Sequence, residues 1–238
     1  MGLFFMSKFD LTRLVIAVAC IVVAGVFVLA RLVKKKNPIT TKFIARTGLF
    51  AAMSIILYIV PGLTFGVPFF PAFLEFHFDE VPALIAGFAY GPLSGFFVIL
   101  VKTLVKLPFT STMCVGELAD FIYSAAFIIP AAIIYKKNRS VKGALIALLV
   151  ATVVQVLTSS LITSFLILNF YIFMMGFPKG AILGMCQAAN PKITSLGWTF
   201  WAYVGVPFNA MKDAMVVLIT FLLYKRLHRV IDRIGENH

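Results

Sequence analysis

What most limits the folds open to this chain is a succession of long apolar runs, punctuated by short stretches rich in Gly, Pro or basic residues. Residues 14–30 are 17 consecutive uncharged positions, and residues 43–60, 121–135, 143–170 and 207–224 are comparably greasy. An α-helix rises 1.5 Å per residue, so about 20 such residues cross the roughly 30 Å of bilayer hydrocarbon. The composition agrees: 61% of residues are hydrophobic and 13% charged, against about 45–50% and about 25% in a soluble domain. The expected class is an all-α integral membrane protein of the lipid bilayer.

The net charge of +12 does not mark a nucleic-acid binder, because of where it sits. Fourteen of the 21 basic residues fall in three short segments, around Arg31–Arg46, Lys136–Lys142 and Lys225–Arg233, each between or after apolar runs. That is the pattern the positive-inside bias leaves on cytoplasmic loops. With residue 46 placed in the cytoplasm and six helices counted through 207–224, all three clusters land on one side. The bacterial cytoplasmic membrane, with both ends of the main domain inside, is the expected setting. Residues 1–36 read as an extra N-terminal transmembrane anchor helix with a basic linker, residues 37–228 as a six-helix membrane domain, and residues 229–238 as a cytoplasmic tail.

Cys20, Cys114 and Cys186 are far apart, and His77, His228 and His238 stand singly. Neither spacing suits a metal centre, so metal ligands and catalytic residues are expected to be absent. No nucleotide-binding Gly-x-x-x-x-Gly-Lys loop occurs either, so any ATP would be bound by another subunit.

The informative residues are polar ones in apolar surroundings. "VGVPFNAMKDAMVVLITFLLYKR" (204–226) carries Asn209, Lys212 and Asp213 near its start. Asn209 and Lys212 are three apart and share a helix face. Pro207 suits a first helical turn, where its missing N–H costs nothing. A lysine at membrane depth costs at least about 2.5–3.5 kcal/mol and so pairs or faces a watery cavity. Lys212 therefore snorkels to the interface, pairs with Asp213 or Asp120 as an internal strut, or grips a ligand. Asn169 in "LILNFYIF" is open between helix glue and site. In "FTSTMCVGELADFIY", Thr112 supplies a hydroxyl, Gly116 admits a close backbone, and Glu117 and Asp120 share a face. A membrane enzyme using Glu117, Asp120 and Lys212 for acid–base work would lack a nucleophile or a metal.

"FLEFHFDEVPALIAGFAYGPLSGFFV", "TSTMCVGELADFI" and "VPFNAMKDAM" together resemble the S components, the substrate-binding membrane subunits, of energy-coupling-factor (ECF) vitamin transporters. The likeness runs from about residue 42 to 227 and is greatest to the riboflavin-specific members. It implies a six-helix S-component-like bundle, here with one extra N-terminal helix, that is not an enzyme and needs no cofactor. It further implies riboflavin captured from outside as the transported ligand, with a transmembrane coupling subunit and two cytosolic ATPases as partners. Folate, pantothenate or another vitamin is the alternative cargo. By motif, Asn169, Asn209 and Lys212 would hold the flavin ring, while Thr112, Gly116 and Glu117 would reach its sugar-alcohol chain. Gly48 and Ala52 would face the coupling subunit. The pattern departs from the family's at His77, Glu80 and Asp120, and in the long 176–197 loop.

Overall fold

The computed structural model describes residues 40–236 except positions 72, 111, 113 and 174, with side chains to residue 228. The anchor helix expected within residues 1–36, and the side chains of the 229–238 tail, lie outside the described residues. Among the described residues nine α-helices follow in order: α1 (Thr41–Ile59), α2 (Glu80–Tyr90), α3 (Pro92–Lys106), α4 (Val115–Lys137), α5 (Val141–Ile162), α6 (Leu168–Phe173), α7 (Lys179–Ala189), α8 (Trp198–Phe200) and α9 (Val206–Glu236). A two-stranded antiparallel ribbon joins β1 (Phe65–Gly66) to β2 (Glu75–Phe76) in the α1–α2 connection. α5 runs into α6, and α8 into α9, through π-helical turns at Thr163–Ile167 and Trp201–Gly205.

Among the described residues, five helical stretches are long and apolar enough to cross a membrane: Thr41–Ile59, Pro92–Phe109, Val115–Lys137, Val141–Phe173 and Trp198–His228. Their outward faces carry large apolar side chains such as Leu49, Met53, Leu149, Val153 and Leu218. Water would reject a surface of this kind; lipid accepts it. The chain is a multi-pass membrane protein.

α2, the second of the six expected helices, behaves differently. α2 has 11 residues, about 16 Å of helix, too short to cross alone. Every residue from Glu80 to Ala89 is buried, so its unspanned ends rest against protein rather than hydrocarbon. Small residues make this possible. A Cβ added at Gly95 would lie 2.6 Å from Ile128 Cγ2 and 3.2 Å from the Ala83 carbonyl, and one at Gly87 would lie 3.2 Å from Ala132 Cβ. The α2–α3 turn passes through Gly91 at φ 93°, a conformation in which a side chain would be strained. On the other flank, α1 turns Thr47, Ala51 and Ser54 inward at helical spacing. Thr47 Oγ1 meets Ser94 Oγ at 2.9 Å, and the Ser54 hydroxyl donates to the Asp79 carbonyl.

Three expectations about element limits are corrected. α4 begins at Val115, six residues before the predicted start at 121, because the Thr112 hydroxyl accepts from the Gly116 N–H at 3.0 Å and opens the helix early. The polar loop expected at 176–197 contains α7, whose Ile182 and Cys186 are buried with Leu168, Ile193, Leu196, Phe200 and Val204. Pro207 does not open the last helix. Helical structure already starts at Trp198, and Pro207 stands two residues past the π turn Trp201–Gly205, after Val206. A proline inside a helix leaves a carbonyl one turn back without its donor, and a widened turn at that point absorbs the misfit.

Candidate functional site

The α1–α2 connection, the α3–α4 connection and the α6–α8 segment gather at one end of the bundle. They enclose a cavity of ≈ 670 Å³, within the range of small-molecule sites. Tyr58 of α1, His77 before α2, the α4 residues Gly116, Glu117, Asp120 and Tyr123, and Asn209 and Lys212 of α9 give its polar lining. Phe73, Leu168, Tyr171, Ile182, Met185, Phe200 and Phe208 give its apolar and aromatic lining. One region thus offers hydrogen bonds and charge while another offers flat apolar surface.

Of the residues singled out in the sequence, Thr112, Gly116, Glu117, Asn209 and Lys212 line this one cavity. Asn169 does not. Its amide donates to the Phe165 carbonyl at 2.8 Å, although its neighbours Leu168 and Tyr171 do line the space. The Thr110 and Thr112 hydroxyls donate to Glu117 Oε2 at 2.7 and 2.8 Å, which fixes that carboxylate while Oε1 is left for a visitor. The Asn209 amide donates to the Gly205 carbonyl at 2.7 Å; its carbonyl oxygen and second N–H remain. Gly48 and Ala52 lie on the exposed face of α1, away from the cavity, and a Cβ at Gly48 would meet nothing within 4 Å.

Lys212 pairs with neither Asp213 nor Asp120. Its ammonium donates to Glu80 Oε1 at 2.8 Å and lies 3.2 Å from His77 Nε2. Behind it a second buried cation, Lys102, donates to Asp79, to Asp120 Oδ2 at 2.9 Å and to Ser124 at 3.2 Å, with Tyr58's ring face 4.7 Å away. His77 completes the network through Nδ1 to Asp79, with Nε2 3.5 Å from Asp120 Oδ1. His77, Asp79 and Glu80 each bring one ligand atom within 4.8 Å of the others. The ammonium groups of Lys102 and Lys212 occupy the carboxylates there, and the cluster is an ion-pair network. Asp213, wholly buried, has no hydrogen-bond partner for either oxygen among the described residues.

His77 and Asp79 lie outside the spanning segments. For His77, burial and the Lys212 charge push the imidazole pKa down, but Asp79, Asp120 and Glu80 outweigh them and hold it above the usual histidine value. For Asp79, burial pushes the other way, yet Lys102 and His77 hold the carboxyl well below the usual carboxylate range. Sequence reasoning missed this network. A lysine within "FFVILVKTLVKL" was itself the signal, since a cation in an apolar helix needs a buried counter-charge.

Fold and site together define a membrane-embedded protein with a pocket of small-molecule size, lined by both polar groups and aromatic rings. The model of the family "ECF transporter, substrate-specific component" matches residues 42–224, and the chain belongs to that family. It is 32% identical over 183 residues to the "Riboflavin transporter RibU" of Staphylococcus aureus, covering 76% of this chain and 89% of that protein. It is 29% identical over 189 residues to the "Riboflavin transporter FmnP" of Bacillus subtilis, covering 78% and 93%. A solved S component of a bacterial ECF transporter superposes with a TM-score of 0.63 at 29% identity, over 80% of this chain and 97% of that one. A subunit of this family captures substrate and is not an enzyme.

Proposed function

We propose that this chain captures riboflavin from outside the cell and delivers it inward as part of an ECF-type importer. The observation that carries this reading is the placement of Asn209 and Lys212 in one cavity with the Phe73, Phe200 and Phe208 rings. A flavin's pyrimidine edge alternates carbonyl acceptors with an N–H donor. The Asn209 amide supplies both a donor and an acceptor, and the Lys212 ammonium a donor. Aromatic walls suit a flat tricycle. Thr112, the backbone at Gly116 and Glu117 Oε1 suit a chain of hydroxyls. Asn169 joins the site when its amide leaves the Phe165 carbonyl, since it stands beside two residues that already line the space.

Among the described residues, Lys42 and Arg46 on α1, Lys136 and Lys137 on α4, Lys142 on α5, and Lys225 and Arg226 on α9 each lie at the end of the helix opposite its cavity-lining residues, which supports a pocket facing outward. ATP hydrolysis then belongs to two cytosolic ATPases, coupled through a transmembrane partner that docks on the Gly48 and Ala52 face. The test is direct. Protein purified without added ligand should show a flavin absorbance spectrum, and stripped protein should bind riboflavin in preference to folate or pantothenate in a thermal-shift panel. Colourless protein that gives no heat when titrated with riboflavin defeats the reading.

A further inference from the structure

We infer that His77 is a positioning residue for Lys212: its neutral imidazole, Nδ1–H donating to Asp79, accepts one ammonium proton at Nε2 and aims another into the cavity. The inference rests on riboflavin, or a ligand with the same carbonyl edge, being the cargo.

An ammonium has three protons to place. Glu80 Oε1 takes one at 2.8 Å, and His77 Nε2 stands 3.2 Å away to take the second. Both acceptors lie on the α2 side of Lys212, so the third proton is directed toward the open space that Lys212 lines. With a single acceptor the ammonium could pivot. With two it is fixed, and an aimed donor loses less entropy on meeting a ligand carbonyl than a free one.

His77 is itself clamped. Its Nδ1 pairs with Asp79, which Lys102 anchors from behind, and its ring lies 5.2 Å from that of Tyr58. Protonation reverses what Nε2 offers. An imidazolium has donors at both nitrogens, so Nε2 turns its proton to Asp120 Oδ1, 3.5 Å away. A second positive charge then stands against Lys212.

The groups facing His77 come from every packed element: Tyr58 on α1, Asp79 and Glu80 at the start of α2, Asp120 on α4 and Lys212 on α9, with Lys102 of α3 behind Asp79. Three carboxylates against Lys212 keep the imidazole charged to higher pH than an isolated histidine. By linkage, a ligand that needs the neutral imidazole expels its proton on binding, and its affinity falls on acidification.

The experiment uses the full chain in lipid nanodiscs, with riboflavin as the probe, titrated from about pH 5 to about pH 9 around the histidine range. Wild type should weaken toward acid, by up to about tenfold per pH unit once below the His77 pKa. His77→Gln keeps an acceptor but no titrating proton and should bind with the same affinity at both ends. His77→Phe should bind weakly and flatly. In parallel, nitrogen-15 histidine NMR of ligand-free protein should find the Nδ1–H tautomer of His77 at alkaline pH. A wild-type profile that matches His77→Gln, or an Nε2–H tautomer, overturns the inference. If riboflavin binds at no pH the proposed cargo fails, and the tautomer measurement still decides the geometry.

Discussion

Lys102 and Lys212 are both buried lysines of one network, yet the structure gives them different work, and replacing Lys102 by methionine separates the two. Lys102 is wholly buried, lines no part of the cavity, and compensates Asp79 and Asp120 at once. Methionine fills nearly the same volume, so the loss is electrostatic. Removing one partner of a buried ion pair costs about 3–5 kcal/mol, because the remaining charge is left uncompensated. Here two carboxylates lose their common cation, leaving His77 beside both and the Lys212 charge farther off. For a chain of this size each kcal/mol is worth about 2–4 °C of unfolding midpoint. Lys102→Met should therefore lower the midpoint by about 6–20 °C in a detergent or nanodisc thermal-shift assay. Adding Asp120→Asn should recover part of the loss, since it removes one stranded charge. A Lys102→Met midpoint within about 2 °C of wild type, which corresponds to at most about 1 kcal/mol, would refute the picture of a dry, compensated network.

Three further outcomes follow from the same structure. Lys212→Met should weaken riboflavin binding by about ten- to 150-fold, the worth of a charge-assisted hydrogen bond, and Asn209→Ala by about two- to tenfold, both read by calorimetry. Asp79 has its pKa depressed, so its stabilisation is complete above the unfolded value of about 3.9 and is lost as pH falls through the lower folded value; thermal midpoints below about pH 4 should drop in wild type and stay flatter in Asp79→Asn. Gly48→Leu should leave the isolated protein's midpoint unchanged, since that position meets open space, while reducing co-purification with the coupling subunit.

The helices were legible because lipid demands long apolar runs, and a run cannot be disguised. α2 was harder to judge. Its residues are as greasy as a span, but length alone sets it apart, and only packing against Gly95 and Ala132 explains how so short a helix survives. α7 was hidden because Gly180 and Gly184 read as breakers, whereas Ile182 and Cys186 sit one turn apart and bury themselves in the cap. In the site, Asn209 and Lys212 announced themselves as polar residues in an apolar helix. His77 carried no such mark. A single histidine in an aromatic loop has no spacing to read, and its partners Asp120 and Lys212 are 43 and 135 residues away in sequence. Pairing at that range is set by how the helices cross.

The two π turns carry one more implication. Thr163–Ile167 and Trp201–Gly205 each fit an extra residue into a helical turn, and each contributes to the pocket wall, through Thr163 and Ile167 on one side and Gly205 on the other. An added residue advances a helix by about 100°, so the stripe pointing inward above each bulge is a different stripe from the one below. Deleting a single residue from Thr163–Ile167 would restore regular winding and swing Tyr171 out of the pocket without disturbing α5 beneath. Pocket walls and lipid-facing scaffold can thus diverge along one continuous helix, each under its own sequence rules, with a five-residue turn as the border between them.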